Sequence, residues 1–192
     1  MKAKKKEDLK TISLSDRLQQ CYSGAIYDVL RGMGYPDQVL PHTINALNKQ
    51  QKIAGQIYTV EGRKDETLDD HQSLLKWCGF LSGVPADTVV VCQPNDDSLA
   101  HLGELSCETL HFKKVKGYIV DAGCRDTAFI EKTAFPVFCR YSTPVDIVGK
   151  WAPIAMGEPI TIGGVPIHQG DYVMADQDGV VIIPKDMAEK VV

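Results

Sequence analysis

Two polar segments of the chain carry residues whose types and spacing suit the binding of a small anion. The first segment, residues 93–106, follows an apolar run and leads through Gly103 into a predicted helix. The first amides of a helix lack intrahelical partners and carry a partial positive charge, so residues 103–106 can bind a carboxylate or a phosphate. The alternative is an ordinary helix start in which Gly103 serves only the turn.

The second segment, residues 121–127, contains Arg125 and Asp126 side by side. Arg125 offers a planar fork of donors that matches a carboxylate. Asp126 offers the hard oxygen ligand that Mg²⁺ and Mn²⁺ prefer. The alternative is structural, with Asp126 capping a helix that begins at Thr127 and Arg125 pairing with a neighbouring acid.

Each polar segment follows a short apolar run that is a predicted strand. Residues 88–92 form a mostly β-branched run, which is typical of a strand buried on both faces, and residues 117–120 form a second such run. Ligands of open α/β sheets bind beyond the carboxyl ends of the strands. We expect the two strands to be neighbours, so that the two polar segments form one site.

The chain first alternates helices with strands and then becomes rich in short strands. The predicted helices span residues 13–32, 69–83 and 104–114, with another beginning at 127. The further predicted strands span residues 52–61, 137–140, 160–162, 172–175 and 180–183. Ser13 or Ser15 can cap the first helix, and Ser23-Gly24 can break it in two. This order predicts a mixed α/β fold with helices packed on a sheet.

The composition excludes several classes of protein. The 192 residues exceed one typical domain of about 150 residues only slightly. The chain has 21 Lys+Arg and 25 Asp+Glu, a net charge of −4, which gives it no general attraction for nucleic acid. No stretch reaches the roughly 18 apolar residues that a membrane helix needs. We predict one domain over residues 13–192 behind a flexible tail over residues 1–12.

Cysteine usage and the start of the chain predict a cytoplasmic protein. The lysines at the start are not followed by the apolar region of a signal peptide. The cysteines form no C-x-x-C pair, and several lie in apolar runs, so we expect reduced thiols. They are Cys21, Cys78, Cys92, Cys107, Cys124 and Cys139.

Four further polar residues have alternative interpretations. His101 is either a polar loop residue or a substrate contact. Asp121 either forms a turn or orients Arg125 or a metal-bound water. Asp176 and Asp178 match part of a calcium loop, but the later glutamate and its spacing are absent, which favours a turn before a strand.

Three motifs, in this order along the chain, resemble the RraA-like family. They are Gly103-Glu104-Leu105, the run from Val115 to Thr127 that contains Arg125-Asp126, and the stretch from Gly170 to Pro184. The family includes class II aldolases that use a divalent metal on 4-hydroxy-4-methyl-2-oxoglutarate. It also includes regulators that bind and inhibit a ribonuclease.

The resemblance implies a fold, an assembly and a site. The fold is an α/β/α sandwich of the swivelling-domain type, assembled as a homotrimer or a hexamer with the site near a subunit interface. Arg125 binds the 2-oxo acid and steadies its enolate, and Asp126 holds Mg²⁺ or Mn²⁺, partly through waters. The substrate carboxylate binds the amides of Gly103, Glu104, Leu105 and Ser106.

The activity that the resemblance implies is that of a metal-dependent lyase for a small 2-oxo acid. Retro-aldol cleavage to pyruvate, decarboxylation of oxaloacetate, or both are expected. Phe129 stands where the aldolases usually carry an acid, and Val192 ends the chain where they have a further helix. The alternative is a non-catalytic regulator of a ribonuclease. A methyltransferase is disfavoured because Gly32-Met33-Gly34 follows a predicted helix rather than a strand.

Overall fold

The computed structural model describes residues 12–192. The predicted tail therefore lies outside the described residues apart from Ile12, and the division into a tail and one domain stays a prediction. No helix among these residues has the length and apolarity needed to cross a bilayer. The helices are α1 Leu14–Leu18, α2 Ser23–Gly32, α3 Asp70–Gly83, α4 Glu104–Phe112, α5 Thr127–Ile130 and α6 Lys185–Ala188, with a 3₁₀ turn at Glu131–Thr133.

Twelve strands lie within the same range. The first seven are β1 Asn45–Ala46, β2 Ile53–Lys64, β3 Thr88–Gln93, β4 Gly117–Val120, β5 Gly123–Cys124, β6 Val137–Cys139 and β7 Tyr141–Ser142. The last five are β8 Trp151–Met156, β9 Ile160–Ile162, β10 Val165–Ile167, β11 Tyr172–Asp176 and β12 Gly179–Ile183. The second half of the chain is rich in strands, as predicted.

Eight strands form one mixed sheet that nearly closes on itself. Its order is β1-β6-β4-β3-β2-β11-β12, and β8 pairs with the second half of the long β2. The pairs β2–β3, β3–β4 and β4–β6 are parallel, and the others are antiparallel. Val39 bridges to Val181 of β12, and β1 then pairs with β6, so residues 39–46 connect the two ends of the sheet.

Alternation along the central strand places its side chains in two different cores. Val89 and Val91 face the interior of the curved sheet, where the β9–β10 hairpin packs, whereas Val90 and Cys92 face α3 and α4. All four side chains are fully buried, which confirms the strand buried on both faces. A third apolar cluster lies under α1, α2 and α6. Helices thus cover the sheet on two sides, as in the predicted α/β/α sandwich.

The first predicted helix is two helices, and the break precedes Ser23. Ser13 caps α1, since its Oγ accepts from the amide of Asp16 at 3.1 Å. The amide and hydroxyl of Ser23 donate to Asp176 at 2.8 and 2.7 Å, so a carboxylate from β11 caps α2. The amide of Asp178 also donates to Asp176 at 3.0 Å. These contacts make Asp176 and Asp178 a turn and cap, as favoured over a calcium loop.

Proline explains why two strands escape prediction from the sequence. β8 contains Pro153 and β10 contains Pro166, and a proline inside an apolar run argues against a strand. β8 pairs only with β2 and lies at an edge, where the missing amide is tolerated, and the register shifts between Glu61 and Gly62. The sheet is therefore wider than the sequence pattern indicates.

Gly62 provides space for the buried Trp151, which gives a stability prediction. A Cβ at Gly62 would lie 1.8 Å from the Trp151 ring, and that ring is fully buried. Gly62→Ala should lower the free energy of unfolding by about 1–3 kcal/mol or more. Gly79→Ala in α3 meets nothing within 4 Å and should instead raise it by about 0.5–1 kcal/mol. Urea unfolding of both variants would test this contrast, and equal effects would contradict it.

Candidate functional site

The two polar segments lie side by side, as the sequence predicts. β3 and β4 are adjacent parallel strands, so their carboxyl ends meet at one edge of the sheet. Main-chain hydrogen bonds then join the segments that follow. The amide of His101 donates to the Gly123 carbonyl, and the amide of Arg125 donates to the Leu102 carbonyl, both at 2.9 Å. These main-chain hydrogen bonds therefore fix the position of Arg125 relative to the start of α4.

A cavity of about 450 Å³ lies where these segments meet α3 and α4. This volume is within the range of sites for small molecules. Its polar wall comprises residues 103–106 together with Arg125, Asp126 and Asp146. Its apolar wall includes Leu74, Trp77, Leu81, Ile147 and Val148. Every site residue predicted from the sequence lines this one cavity.

One of the four predicted amides at the start of α4 is already paired. Gly103 is the N-cap residue, and no side chain of its own caps the helix. The amide of Glu104 donates to Asp126 Oδ2 at 3.0 Å, so this amide is already paired. The first hydrogen bond back into the helix runs from Cys107 to the Gly103 carbonyl. The amides of Gly103, Leu105 and Ser106 therefore have no partner among residues 12–192.

Asp126 caps α4 across the cavity and does not cap its own helix. It is the N-cap residue of α5, but its side chain makes no capping hydrogen bond there. Its backbone is left-handed, with φ of 57°, an arrangement that is uncommon for residues other than glycine. The structural alternative is thus wrong about the cap, whereas its other part, the pairing of Arg125 with a neighbouring acid, is confirmed. Asp126 Oδ2 binds Glu104, and its Oδ1 has no partner among the described residues.

Arg125 is held between two carboxylates. Its Nη1 donates to Asp146 Oδ2 at 3.0 Å, and its Nε lies 3.4 Å from Asp126 Oδ2. The Arg125 side chain is 38% exposed, and no described residue accepts from Nη2. Asp146 is a further functional candidate. No motif marks it, since it lies 20 positions beyond Asp126 in an irregular segment.

Position 103 favours glycine because a side chain there would have too little room, and not because of its backbone angles. Its φ of −137° is open to any residue. A Cβ at this position would lie 2.6 Å from Asp126 Oδ2 and 3.0 Å from Arg125 Nε. The glycine therefore lets the carboxylate and the guanidinium approach the start of α4.

His101 lies in the loop between β3 and α4, as the loop interpretation has it, but it is buried in the core. Its side chain is fully buried, Nε2 lies 3.0 Å from Asp96 Oδ2, and the ring packs edge-on against Trp151 at 4.6 Å. Asp96 Oδ1 in turn pairs with Lys64 Nζ at 2.7 Å. Burial lowers the pKa of His101 to about 4 despite the opposing effect of Asp96. His101 is therefore neutral at pH 7.

The Asp96 carboxylate remains charged although its side chain is buried. Burial alone would raise its pKa, but hydrogen bonds from Lys64, His101 and the Leu99 amide outweigh that effect. The pKa of Asp96 consequently lies well below its ordinary value. A buried anion thus lies between the Lys64 ammonium and a neutral imidazole.

The buried imidazole gives a prediction for stability against pH. The pKa of His101 is about 4 in the folded protein and about 6.5 when unfolded. The unfolded chain binds more protons between these values, so stability falls as the pH drops through this window, by about 3 kcal/mol in total. Urea unfolding at pH 7.0 and 4.5 would measure the loss. His101→Gln should reduce it, and an unchanged loss would contradict the assignment.

Asp121 and Phe129 do not take part in the cavity wall. Asp121 lies 3.7 Å from Arg140 and not beside Arg125, so Asp146 takes the orienting role considered for it. Burial raises the pKa of Asp121, with Arg140 opposing the shift. Phe129 is exposed, and Lys132 Nζ lies 5.0 Å from its ring centre. The six cysteines form no disulfide bond among residues 12–192.

The donor set fits Mg²⁺ or Mn²⁺ and does not fit a metal that needs a protein cage. No group of three His, Cys, Asp or Glu side chains able to hold an ion occurs within residues 12–192. Structural zinc takes four protein ligands, and calcium six or more oxygens. Mg²⁺ instead keeps several waters and binds through one or two carboxylates. Asp126, with Oδ1 free at the cavity, has the chemistry for such a site.

Comparison with known protein families shows to which family the chain belongs. The family described as RraA-like, Aldolase/RraA, matches residues 23–182, which include both polar segments, β11 and all but the last residue of β12. The chain belongs to the RraA-like family. The resemblance of the three motifs is thereby confirmed.

Two curated relatives of this RraA-like protein differ in length. A protein of Halalkalibacterium halodurans named "Putative 4-hydroxy-4-methyl-2-oxoglutarate aldolase" is 31% identical over 152 residues, which are 79% of this chain and 69% of that protein. Protein DlpA of Legionella pneumophila is 30% identical over 185 residues. These are 94% of this chain but 29% of DlpA, so the chain spans less than a third of that relative.

Solved structures confirm the RraA-like fold. A crystal structure described as novel cellulases from gut-associated microbes has a TM-score of 0.88 at 31% identity, covering 94% of this chain and 82% of that one. RraAS2 of Streptomyces coelicolor, described as an unusual member of the RNase ES inhibitor RraA family, has a TM-score of 0.82 at 25% identity. That match covers 93% of this chain and 88% of RraAS2.

Proposed function

We propose that this RraA-like protein is a divalent-metal-dependent carbon–carbon lyase that acts on a small 2-oxo acid. One observation carries the proposal: two free helix amides, a guanidinium and a carboxylate with a free oxygen line the same cavity. An aldolase name on a relative at 31% identity supports the same class of reaction. The reactions are retro-aldol cleavage of a substrate like 4-hydroxy-4-methyl-2-oxoglutarate and decarboxylation of oxaloacetate, both of which release pyruvate.

The chain's own groups would bind the reacting end of the substrate. The amides of Leu105 and Ser106 bind its carboxylate, where the start of α4 adds a partial positive charge. Arg125 Nη2 donates to the 2-oxo oxygen, and this bond strengthens as the breaking C–C bond turns the 2-oxo acid into an enolate. Removing one such donor costs about 2.7–4 kcal/mol of the barrier. Asp146 fixes the guanidinium from the other side.

Asp126 would hold the metal ion through Oδ1. When bound, Mg²⁺ or Mn²⁺ supplies Lewis-acid polarisation of the 2-oxo acid. Asp126 also accepts from Glu104 through Oδ2. The carboxylate is therefore anchored to α4 at a fixed position beside the substrate amides.

The two reactions place different demands on the chain. Retro-aldol cleavage needs an acceptor for the proton of the substrate alcohol, whereas decarboxylation of oxaloacetate does not. Phe129 supplies no oxygen at the position where the aldolases usually carry an acid. We therefore expect decarboxylation to be the less demanding activity of this protein.

A second candidate function is regulation of a ribonuclease by protein binding. The similarity to RraAS2, a member of an RNase inhibitor family, favours it. A regulator needs a binding surface rather than a polar cavity, whereas the two polar segments line a cavity. The lyase accounts for Arg125, Asp126 and Gly103 together, which a binding surface does not.

Assembly and location follow as part of the proposal. Leu105, which lines the cavity, and Phe112, at the other end of α4, are 77% and 90% exposed. Such exposed apolar side chains are typical of surfaces that a partner subunit covers. We propose a cytoplasmic homotrimer or hexamer, with no nucleic-acid or membrane partner, and light scattering in solution would measure the assembly.

Turnover with and without a metal tests the lyase directly. The protein should release pyruvate from 4-hydroxy-4-methyl-2-oxoglutarate or from oxaloacetate with Mg²⁺ or Mn²⁺, and a chelator should abolish the release. Asp126→Ala should abolish it as well, because the ion loses its protein ligand. Asp121→Asn is a matched control, since that residue pairs with Arg140. No release of pyruvate from either acid, or release that ignores the chelator, would reject the proposal.

A further inference from the structure

Hydrogen bonds join the apolar wall of the cavity to the groups proposed to bind the 2-oxo acid. Trp77 Nε1 donates to Ser106 Oγ at 2.9 Å. Asp146 accepts from Arg125 Nη1 at 3.0 Å and, through its other oxygen, from the Val148 amide at 3.2 Å. An apolar side chain of the cavity wall therefore lies close to each end of the proposed head-binding site, Trp77 at Ser106 and Val148 beyond Asp146.

The apolar wall is fixed before a substrate binds. The segment after β7 is anchored to α3, because the Gly149 amide donates to Oγ of the buried Ser73 at 2.9 Å. The ring of Trp77 packs edge-on against that of Trp151, with 6.0 Å between the ring centres. The wall thus presents a preformed apolar surface to the part of a substrate that extends beyond the 2-oxo acid.

The charges of the cavity wall disfavour a second carboxylate on the substrate. Within residues 12–192, three carboxylates line the cavity, and Arg125 is its one cationic side chain. The carboxylates are those of Glu104, Asp126 and Asp146. Arg125 already pairs with two of them. A second substrate carboxylate would therefore leave water for apolar side chains and like charges, which is costly.

The cavity has room for a hydrocarbon group beyond the 2-oxo acid. Its volume of about 450 Å³ lies in the range of sites for ligands larger than pyruvate. Trp77, Leu81 and Ile147 of its apolar wall are themselves buried side chains. Hydrocarbon that packs against such side chains is stabilised in proportion to the apolar area removed from water.

We propose that the cavity selects 4-hydroxy-2-oxo acids whose far end is a hydrocarbon group rather than a second carboxylate, with Leu74, Trp77 and Val148 contacting that end. The inference rests on the proposed lyase function and narrows its substrate class. Cleavage breaks the substrate bond between C3 and C4, whose electron pair forms the pyruvate enolate. The alcohol proton passes to solvent, and C3 takes up a proton from solvent. The far end leaves as an aliphatic aldehyde or ketone.

Two substrates of similar shape isolate the charge of the far end. 4-Hydroxy-5-methyl-2-oxohexanoate carries an isopropyl group where 4-hydroxy-2-oxoglutarate carries a carboxylate, and both release pyruvate on cleavage. With Mg²⁺, kcat/KM for the first acid should exceed kcat/KM for the second by about 10–100-fold, the size of discrimination that an apolar pocket gives. Equal values, or a preference for the dicarboxylate, would overturn the inference and leave the lyase proposal intact.

A lysine placed in the apolar wall should shift this preference. Leu74 lines the cavity and is 43% exposed, so a lysine stem can follow the wall while its ammonium stays in water. Leu74→Lys should favour the dicarboxylate in the ratio of the two kcat/KM values by about three- to fivefold. Leu75→Lys should leave the ratio unchanged, since Leu75 is 58% exposed on α3 and does not line the cavity. Equal shifts in both variants, or none in Leu74→Lys, would overturn the inference.

Binding of acids that cannot be cleaved gives a readout that does not depend on turnover. 5-Methyl-2-oxohexanoate and 2-oxoglutarate differ in the same way, and neither carries the hydroxyl group that retro-aldol cleavage needs. In calorimetric titrations with Mg²⁺, the first should bind about tenfold more tightly or better, with a more negative heat-capacity change. Equal affinities, or tighter binding of 2-oxoglutarate, would overturn the inference. Wild-type protein that releases no pyruvate from any of these hydroxy acids or from oxaloacetate, yet shows this selectivity, would reject the lyase and keep the apolar subsite.

Discussion

Replacing Arg125 by alanine should lower kcat for pyruvate release by about 100–1,000-fold, because one donor to the developing enolate is lost. Arg125→Lys should be almost as harmful. The guanidinium binds Asp146 through Nη1 while Nη2 stays free for substrate, and a single ammonium cannot occupy both positions. Steady-state assays of pyruvate release with saturating Mg²⁺ would measure both variants.

The control for Arg125 is an ion-paired arginine outside the cavity. Arg31 of α2 pairs with Asp28 at 3.0 Å on the exposed surface. Arg31→Ala should leave kcat unchanged, and the unfolding midpoint of Arg125→Ala should stay near that of the wild type. A fall in kcat of less than threefold for Arg125→Ala would remove Arg125 from the mechanism.

Gly103→Ala should lower kcat/KM by about 100-fold, although it adds a single methyl group, because displacements of about 1 Å can have effects of this size. The new Cβ would lie 2.6 Å from Asp126 Oδ2 and 3.0 Å from Arg125 Nε, so both side chains must move. Asp126 would then lose its bond to the Glu104 amide. Steady-state assays with both acids would measure the loss.

Two further experiments test whether the effect of Gly103→Ala comes from the displacement of Asp126: a measurement of metal affinity, and a control substitution at a second glycine. Gly103→Ala should weaken Mn²⁺ binding as measured by titration, since Asp126 is displaced. Gly32→Ala, which meets nothing within 4 Å at the end of α2, should leave turnover and Mn²⁺ binding unchanged. Wild-type activity in Gly103→Ala would show that the approach of Asp126 and Arg125 to α4 is not needed.

The sequence predicts the position of the site because strand patterns are strong signals. The β-branched run of β3 and the short run of β4 identify two buried parallel strands, and their carboxyl ends meet at one edge of the sheet. The polar segments after them are then neighbours by topology alone. The same argument fails for β8 and β10, because each contains a proline that argues against a strand. These strands are stabilised by their partner strands or by packing against the core, which the sequence pattern does not show.

The pairing of side chains within the site lies beyond sequence reasoning. From the sequence, Asp126 is a candidate cap for its own helix. It caps α4 instead, because main-chain hydrogen bonds hold the two polar segments side by side. Asp146 meets Arg125 only after the chain has passed through β6 and β7. His101 reads as a polar loop residue, and its burial depends on Trp151, a residue 50 positions later whose space Gly62 provides. Contacts between distant segments decide each of these roles.

A crystal structure with pyruvate and Mg²⁺ bound would test the central claim most directly. We expect the pyruvate carboxylate on the amides of Leu105 and Ser106, its 2-oxo oxygen within hydrogen-bond distance of Arg125, and the ion on Asp126. Pyruvate bound outside the cavity, or an ion held without Asp126, would contradict the account.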